Sequence, residues 1–267
     1  MSEDATLFTE VDRTGDPDFF IRFLDQANAN PDIQKSKPVI LDALHLRPGL
    51  RVLDLGCGTG ADAIDIAQRV APSGTVTGVD ASEAMIAEAR RRCAGSSLSV
   101  TFEAGDATQL RFAANTFDAC RTERMLMHIA QPDRAFGEMV RVTKPGGRVA
   151  VFDIDWGTFV IDHPDHATTR RVVASFSDSI RSRWIGRQLR RMFIDAGMTE
   201  VSFTCRQTLI DFEFLQLIIG GHLTRAQHAG MLHPDEVRKW WDYLRDFDAD
   251  GRFLAGFTAF VVSGEKI

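Results

Sequence analysis

The feature that most constrains this fold is residues 52–60, Val-Leu-Asp-Leu-Gly-Cys-Gly-Thr-Gly, where a short apolar run leads into three alternating glycines. Residues 61–70 follow with apolar side chains at 63, 66, 67 and 70, the spacing of a helix packed against a core. Glycine lets the backbone approach a ligand closely, and the first turn of a helix leaves N–H groups free to bind it. This stretch therefore predicts a strand, a tight turn and a helix that together form a nucleotide-type pocket.

The remainder of the chain repeats this alternation of strand and helix. Strands are predicted at 51–55, 75–80, 99–104, 116–121 and 147–154, and helices at about 61–70, 83–93 and 132–143. A helix at about 185–196, a strand near 199–209, a two-part helical insertion at about 212–248 and a last strand at 253–262 are expected to follow. We therefore predict an α/β fold: a doubly wound, mainly parallel seven-stranded sheet with a C-terminal antiparallel strand pair and a helical cap.

Composition narrows the class of protein. The 267 residues are 44% hydrophobic and 25% charged, as in ordinary globular chains, and the formal charge of -6 argues against general affinity for nucleic acid. No apolar run approaches the roughly 18 residues of a membrane span, and the N-terminus has no hydrophobic segment, which predicts a cytoplasmic protein. The four cysteines show neither CxxC nor zinc-like spacing, so reduced thiols and no metal site are expected.

The glycine turn alone is compatible with two kinds of cofactor. Gly56 and Gly58, followed by Ala61 and with Asp80 about 20 residues further on, also satisfy the dinucleotide fingerprint. Asp54 separates the two readings, because a carboxylate beside the turn would repel a pyrophosphate but would attract an ammonium group. S-adenosylmethionine (SAM) carries an ammonium group and a sulfonium but no phosphate, so the sequence favours SAM.

Residues 52–60 resemble the first motif of the class I SAM-dependent methyltransferases. Residues 78–82, 105–107, 117–122 and 144–148 resemble that family's later motifs in the same order, so the resemblance covers about residues 35–155. Within the class, the layout looks most like small-molecule enzymes related to quinone C-methyltransferases and natural-product tailoring methyltransferases. The resemblance implies SAM as cofactor, a small-molecule substrate and no nucleic acid partner.

The resemblance also implies cofactor contacts at the ends of successive strands. Asp80 would bind the ribose hydroxyls, Met85 would pack on the adenine, and Asp106 would accept a hydrogen bond from the adenine amino group. The complete implied set of cofactor-binding residues is Asp54, Gly56, Cys57, Gly58, Thr59, Gly60, Asp80, Ala81, Met85, Gly105, Asp106, Ala107 and Arg121.

The segment after the fourth strand is expected to face the acceptor. Methyl transfer needs an in-line approach and exclusion of water, and a hydroxyl acceptor also benefits from a base. Glu123 is the leading acid or base, and an ion pair with Arg121 or Arg124 is an equally supported reading. His128 resembles a frequent histidine of the family and is assigned to substrate binding, although a role in positioning the helix is favoured over catalysis.

The end of the fifth strand supplies a second group. Asp155 is predicted to be catalytic and Trp156 to give a stacking wall for the substrate, with a helix cap and core packing as the alternatives. The arginines between Arg170 and Arg191 are read as a solvated face, or else as a site for a carboxylate or phosphate. Apolar residues at 212–219 and the pair at 240–241 either roof a substrate pocket or form core or a dimer face.

The predicted organisation is one methyltransferase domain over residues 1–267. It contains N-terminal lid helices at 1–45, a SAM-binding half at 46–155 and substrate-cap insertions at 156–184 and 211–250. We predict methyl transfer to a small, partly apolar or aromatic acceptor by direct displacement without a metal. A catalytically silent SAM-binding protein and an NAD(P)-dependent oxidoreductase are the alternatives. The acceptor atom, the need for a base and the oligomeric state, a homodimer included, stay open.

Overall fold

The computed structural model describes residues 4–267, so residues 1–3 of the predicted N-terminal lid lie outside the described residues. The chain runs in the order 3₁₀ helix (Ala5–Arg13), α1 (Pro17–Ala29), α2 (Pro31–Ala43), β1 (Arg51–Leu55), α3 (Ala61–Val70), β2 (Thr75–Asp80), α4 (Glu83–Cys93), β3 (Val100–Ala104) and β4 (Phe117–Glu123). It continues with a 3₁₀ turn (Leu126–His128), α5 (Pro132–Val142), β5 (Thr143–Ile161), α6 (His166–Ser179), α7 (Ile185–Asp195), β6 (Thr199–Ile210), α8 (Phe212–His228), α9 (Pro234–Ala249) and β7 (Ala255–Glu265).

One seven-stranded sheet organises these elements, in the order β3-β2-β1-β4-β5-β7-β6. The first five strands of that order are parallel, and β7 pairs antiparallel with both β5 and β6. The predicted fold class is confirmed, including the late antiparallel pair. The strand order reverses direction between β1 and β4, and ligands of open α/β sheets bind in the crevice at such a switch point.

Short polar signals set the ends of the helices. Asp16 accepts a hydrogen bond from the Phe19 N–H at 3.1 Å, and Pro17 occupies the first turn of α1. Asn30 caps α2 in the same way, and His233 and Pro234 begin α9, the second part of the late helical insertion. Gly197, with φ of +73°, follows the end of α7 as predicted.

The structure corrects the sequence prediction at three places. The 3₁₀ helix over Ala5–Arg13 was not predicted, because it is short and kinked. Strand β5 continues to Ile161 through pairing with β7, whereas a loop was expected from Asp155. The sequence also predicts that a left-handed glycine of the turn 145–147 ends the helix before the fifth strand. Gly146 is left-handed, with φ of +74°, but it lies inside β5, because α5 already ends at Val142.

Residues 4–29 form a layer over the carboxyl ends of the strands, which we call the N-terminal cap. Phe8 of the 3₁₀ helix packs edge-on against Phe20 and Phe23 of α1, with ring centroids 5.0 and 5.3 Å apart. The Asp12 carboxylate accepts hydrogen bonds from the Ser82 hydroxyl at 2.6 Å and from the Glu83 N–H at 2.8 Å, at the start of α4. The cap is therefore attached to the sheet beside the end of β2.

Candidate functional site

A cavity of about 510 Å³ opens at the carboxyl ends of β1, β2 and β4, beneath the N-terminal cap. Its volume lies in the range of small-molecule and cofactor sites, about 300–1,000 Å³. Of the implied cofactor residues, the structure brings to this cavity Gly56, Cys57, Gly58, Thr59, Asp80, Ala81, Met85, Gly105, Asp106, Ala107 and Arg121. Asp54 and Gly60 are not part of its lining.

The glycine turn is held in shape by β2. The N–H groups of Gly56 and Cys57 both donate to the Val79 carbonyl, at 2.7 and 3.0 Å. Gly60 begins α3 with φ of +80°, and a Cβ there would lie 2.8 Å from the Phe102 ring. Glycine is thus required at Gly60 both by the left-handed backbone and by close packing, which leaves the start of α3 directed at the cavity.

Asp80 joins this turn to the second strand. Its carboxylate accepts hydrogen bonds from the Gly58 N–H at 2.9 Å and from the Ser82 N–H at 3.0 Å, and burial raises its pKa. Met85 lies beside it, buried, while Asp106 is exposed at the mouth and accepts from Thr108 N–H at 2.7 Å. These loop ends form one polar wall of the cavity.

A buried ionic network closes the floor of the cavity around Arg121, which is 2% exposed. Its guanidinium lies 2.9 Å from Asp54, 3.1 Å from Asp62 and 2.6 Å from Glu123. Lys37 of α2 adds a further cation, 2.5 Å from Asp62. Burial works to raise the pKa of Asp62, but Arg121 and Lys37 outweigh it and lower that pKa.

The structure corrects the role predicted for Asp54. The side chain is 1% exposed and does not reach the cavity; its carboxylate is bound by Arg121 instead. Burial raises the pKa of Asp54 to about 6, with Arg121 opposing that rise. Asp54 therefore acts on the cavity through Arg121, because the two residues are register partners on β1 and β4 and their side chains lie on the same face of the sheet.

Glu123 lines the cavity at the end of β4. Besides Arg121, it lies 3.1 Å from Arg124 and 3.6 Å from Lys37. The ion pairs that the sequence offered as one reading of Glu123 are therefore present. A direct role in acceptor chemistry stays a prediction.

The turn after β4 and the N-terminal cap form the opposite, apolar wall. His128 lies on the 3₁₀ turn with its ring centroid 5.2 Å from that of Phe8. Burial, with Arg124 and Arg181 nearby, lowers the pKa of His128 to about 4, so its imidazole is neutral at neutral pH. The other members of this wall are Phe23, Leu24, Met125, Met127 and Ile129.

Asp155 and Trp156 do not reach the cavity, which corrects both predictions. The Asp155 carboxylate is fully buried and is bound by the Arg187 guanidinium, with one contact at 2.9 Å. The Trp156 ring packs among phenylalanines and its Nε1 lies 3.2 Å from the Met127 sulfur, behind the turn. The cause is the continuation of β5, which carries both residues past the crevice and into the pairing with β7.

Most arginines between Arg170 and Arg191 form ion pairs away from the cavity or are exposed. Arg171 pairs with Glu236 at 2.7 Å, Arg183 with Asp178 at 3.3 Å, and Arg190 and Arg191 are exposed. Of the arginines in this described segment, Arg181 alone faces a groove that adjoins the cavity. Within the described chain, helices α8 and α9 contribute no residue to the cavity lining; α8 packs behind the cap, with Phe214 against Phe23.

Several residues of the site were missed from the sequence. Lys37 carried a usable signal, because it stands between Ile33 and Ile40 on the buried stripe of α2, where a charge needs a buried partner. Asp153 is fully buried and its carboxylate accepts from the Met127 N–H at 3.2 Å, which fixes the turn. Phe8 gave no signal, since it belongs to the unpredicted 3₁₀ helix.

The described residues were searched for a metal site and for a helix that could span a membrane. Among residues 4–267, His, Cys, Asp and Glu side chains form no group of three or more placed to hold a metal ion. None of the described helices is both long and apolar enough to cross a bilayer.

Comparisons with known proteins identify the family of this chain. The family model for a methyltransferase domain matches residues 46–197, more than half of the chain. The chain belongs to the class I SAM-dependent methyltransferases. An uncharacterized 37.1 kDa protein in transposon TN4556 of Streptomyces fradiae is 38% identical over 248 residues, which cover 91% of this methyltransferase and 70% of that protein.

A second relative in sequence and the fold of a solved structure agree with this assignment. The demethylmenaquinone methyltransferase of Symbiobacterium thermophilum is 33% identical over 181 residues, covering 60% of this methyltransferase and 72% of that protein. The crystal structure of a putative methyltransferase from Bacillus halodurans C-125 has the same fold, with a TM-score of 0.60 at 19% identity over 87% of this chain and 99% of that one.

The residues present fit SAM as the cofactor of this methyltransferase. The cavity is large enough, its polar wall carries the Asp80 carboxylate, and its floor carries both cations and carboxylates beside the start of α3. A zwitterionic amino acid group and a ribose are matched by these donors and acceptors.

Proposed function

We propose that this methyltransferase methylates a small, partly apolar or aromatic acceptor of the hydroquinone type, by direct displacement without a metal. The observation that carries the proposal is the division of the cavity into a polar wall beside β2 and an apolar wall around Phe8, Phe23 and Met127. A planar ring suits the second wall, since aromatic and sulfur-containing side chains contact ring faces and edges favourably. The similarity to a demethylmenaquinone methyltransferase supports the same acceptor class.

The polar wall is proposed to hold the cofactor. SAM supplies a methyl group made electrophilic by the adjoining sulfonium. Asp80 would accept hydrogen bonds from the ribose hydroxyls, Met85 would contact the adenine, and Asp106 would accept from its amino group. Arg121 and Asp62 offer a cation and a carboxylate to the amino acid end.

The apolar wall is proposed to orient the acceptor. His128 is neutral at neutral pH and lines the cavity, so one ring nitrogen can accept a hydrogen bond from an acceptor hydroxyl. Glu123 is held by three cations, Arg121, Arg124 and Lys37, so we assign it to placing those side chains. The ring of Phe8 packs against His128 and limits its movement.

The N-terminal cap is proposed to act as the lid that excludes water from the reaction. Its inner face places Phe8, Val11 and Leu24 in the cavity lining, and its outer face packs on α8. The late helical insertion would then support the lid without touching the acceptor. Exclusion of water and alignment of the reacting atoms supply much of the rate in such transfers.

Transfer of labelled methyl from SAM to reduced naphthoquinones tests the proposal. We expect methylated naphthohydroquinone, and we expect His128→Asn to lower kcat by roughly 10²-fold, as for a misaligned acceptor, with little change in affinity for S-adenosylhomocysteine. His166→Asn, a change at an exposed histidine of α6, is the matched control and should leave turnover unchanged. Methylation of amines or carboxylates with no transfer to any hydroquinone would refute the acceptor class.

A further inference from the structure

Strand β6 lies at one edge of the sheet and is exposed to solvent over most of its length. All six residues from Ser202 to Gln207 are exposed, although the strand pairs with β7 along one side. Within residues 4–267, neither face of this stretch is covered by a helix, because in a covered strand alternate side chains would be buried. Two large apolar side chains are among the exposed ones, Phe203 at 46% and Leu209 at 50%.

The backbone of Leu209 shows which groups of β6 point away from the sheet. Its N–H donates to the Asp32 carboxylate at 3.0 Å and its carbonyl accepts from the Asn30 side chain at 3.4 Å, so both groups face away from β7. Alternate residues of a strand share this direction, so the N–H and carbonyl groups of Phe203, Cys205 and Gln207 face outward as well. Across residues 4–267 no hydrogen bond to those outward groups is formed.

The stretch of unpaired outward backbone groups is limited at both of its ends. At one end, Asn30 and Asp32 of α2 occupy the outward groups of Leu209. At the other end, the register with β7 shifts between Thr199 and Ser202, and Glu200 has φ of +48°, which marks a bulge. The regular stretch whose outward backbone groups have no hydrogen-bond partner in the described chain is therefore 202–208, and its centre is Cys205.

We infer that the stretch 202–208, the open edge of β6, pairs antiparallel with the same stretch of a second copy of this chain. The two-fold axis would pass beside Cys205, so that one continuous sheet runs through both molecules. The open edge ends about equally far from Cys205 on both sides, so two copies related by such an axis can pair along its whole length. Two-fold interfaces are the commonest in soluble oligomers.

The side chains of the open edge suit this pairing. About Cys205, Phe203 would lie opposite Gln207 of the second copy and Thr204 opposite its Arg206, so no like charges meet. Phe203 and Leu209 share one face, and across the axis they become diagonal neighbours, within reach of an aromatic side chain. The stretch contains no lysine or proline, the residues with which proteins commonly block exposed edges.

Sedimentation of the full chain, combined with thiol cross-linking, tests the inference. We expect a dimer in the micromolar range and a covalent link between the two copies of Cys205 with a short bismaleimide, since hydrogen-bonded pairs hold Cα atoms about 5.5 Å apart, within the span of that reagent. Cys57 and Cys120 are buried, and Cys93→Ser removes the other accessible thiol. Cys205→Ser should keep the dimer and lose the cross-link.

A charged substitution on the axis supplies the decisive comparison. Cys205→Lys places like charges directly opposite one another and should weaken the dimer by roughly tenfold or more. Thr101→Lys, on the exposed outer strand β3 at the other end of the sheet, should leave it intact. A wild-type chain that stays monomeric, or a dimer unaffected by Cys205→Lys, would overturn the inference. These readouts need neither SAM nor an acceptor, so they are independent of the proposed function.

Discussion

At the scale of single residues, the site depends on Arg121, one buried guanidinium shared by three carboxylates. The resemblance of residues 117–122 to a family motif led to the prediction that Arg121 binds the cofactor. Its ion pair with Asp62, a carboxylate that also binds Lys37, was not predictable, because it joins elements far apart in the sequence. Asp54 was placed correctly beside the turn but given the wrong contact, since sequence spacing does not reveal which face of a strand meets a cation.

Asp153 leads to a prediction about pH. Burial raises the pKa of this carboxyl to about 7, against the hydrogen bonds from the backbone N–H groups of Ile154 and Met127. The folded state therefore holds the proton more tightly than the unfolded state, whose pKa is near 3.8. This stabilising contribution is complete below pH about 4 and is lost as the pH rises through about 7.

Asp153→Asn removes that titration. Between pH 5 and pH 8 we expect the free energy of unfolding of the wild type to fall by up to a few kcal/mol relative to that of Asp153→Asn. One pKa unit corresponds to about 1.4 kcal/mol. Urea denaturation at the two pH values measures the difference. Asp18→Asn, at an exposed position on α1, should leave the wild-type pH dependence as it is. A difference between wild type and Asp153→Asn that does not change with pH would contradict the account.

At the scale of elements, the strands and the glycine turn follow from local pattern, whereas the acceptor wall does not. The run at 52–60 forms β1 and the turn as predicted, because apolar and glycine positions act over a few residues. Asp155 and Trp156 failed as site residues because the length of β5 is set by its pairing with β7, more than 90 residues later. Long-range pairing of this kind overrides local turn signals.

The N-terminal cap gives a prediction at this scale. The Asp12 carboxylate caps α4 from another element, with three hydrogen bonds to residues 82–84. Asp12→Ala should cost about 1 kcal/mol, the usual value of a cap, and should speed amide exchange in residues 5–29 roughly fivefold. Hydrogen exchange followed by mass spectrometry measures this effect. With Asp18→Ala as control, equal exchange in the two variants would show that Asp12 does not hold the cap.

At the scale of the whole molecule, the sheet order places the cavity. The switch between β1 and β4 opens a crevice, the polar loop ends line one wall of it, and the cap closes it from above. Sequence reasoning found the fold and most of the polar wall, because those residues follow strand ends. It did not find the cap's aromatic residues or the open edge of β6, since both depend on which surfaces other elements leave uncovered.

Calorimetric titration with S-adenosylhomocysteine is the measurement that tests the central claim most directly. The account predicts one molecule bound per chain and no heat from NADH. It also predicts binding weakened roughly 10- to 100-fold by Asp80→Asn, for a lost charged hydrogen bond of about 1.5–3 kcal/mol. Heat from NADH with none from S-adenosylhomocysteine, or unchanged affinity in folded Asp80→Asn, would contradict the placement of the cofactor against the polar wall.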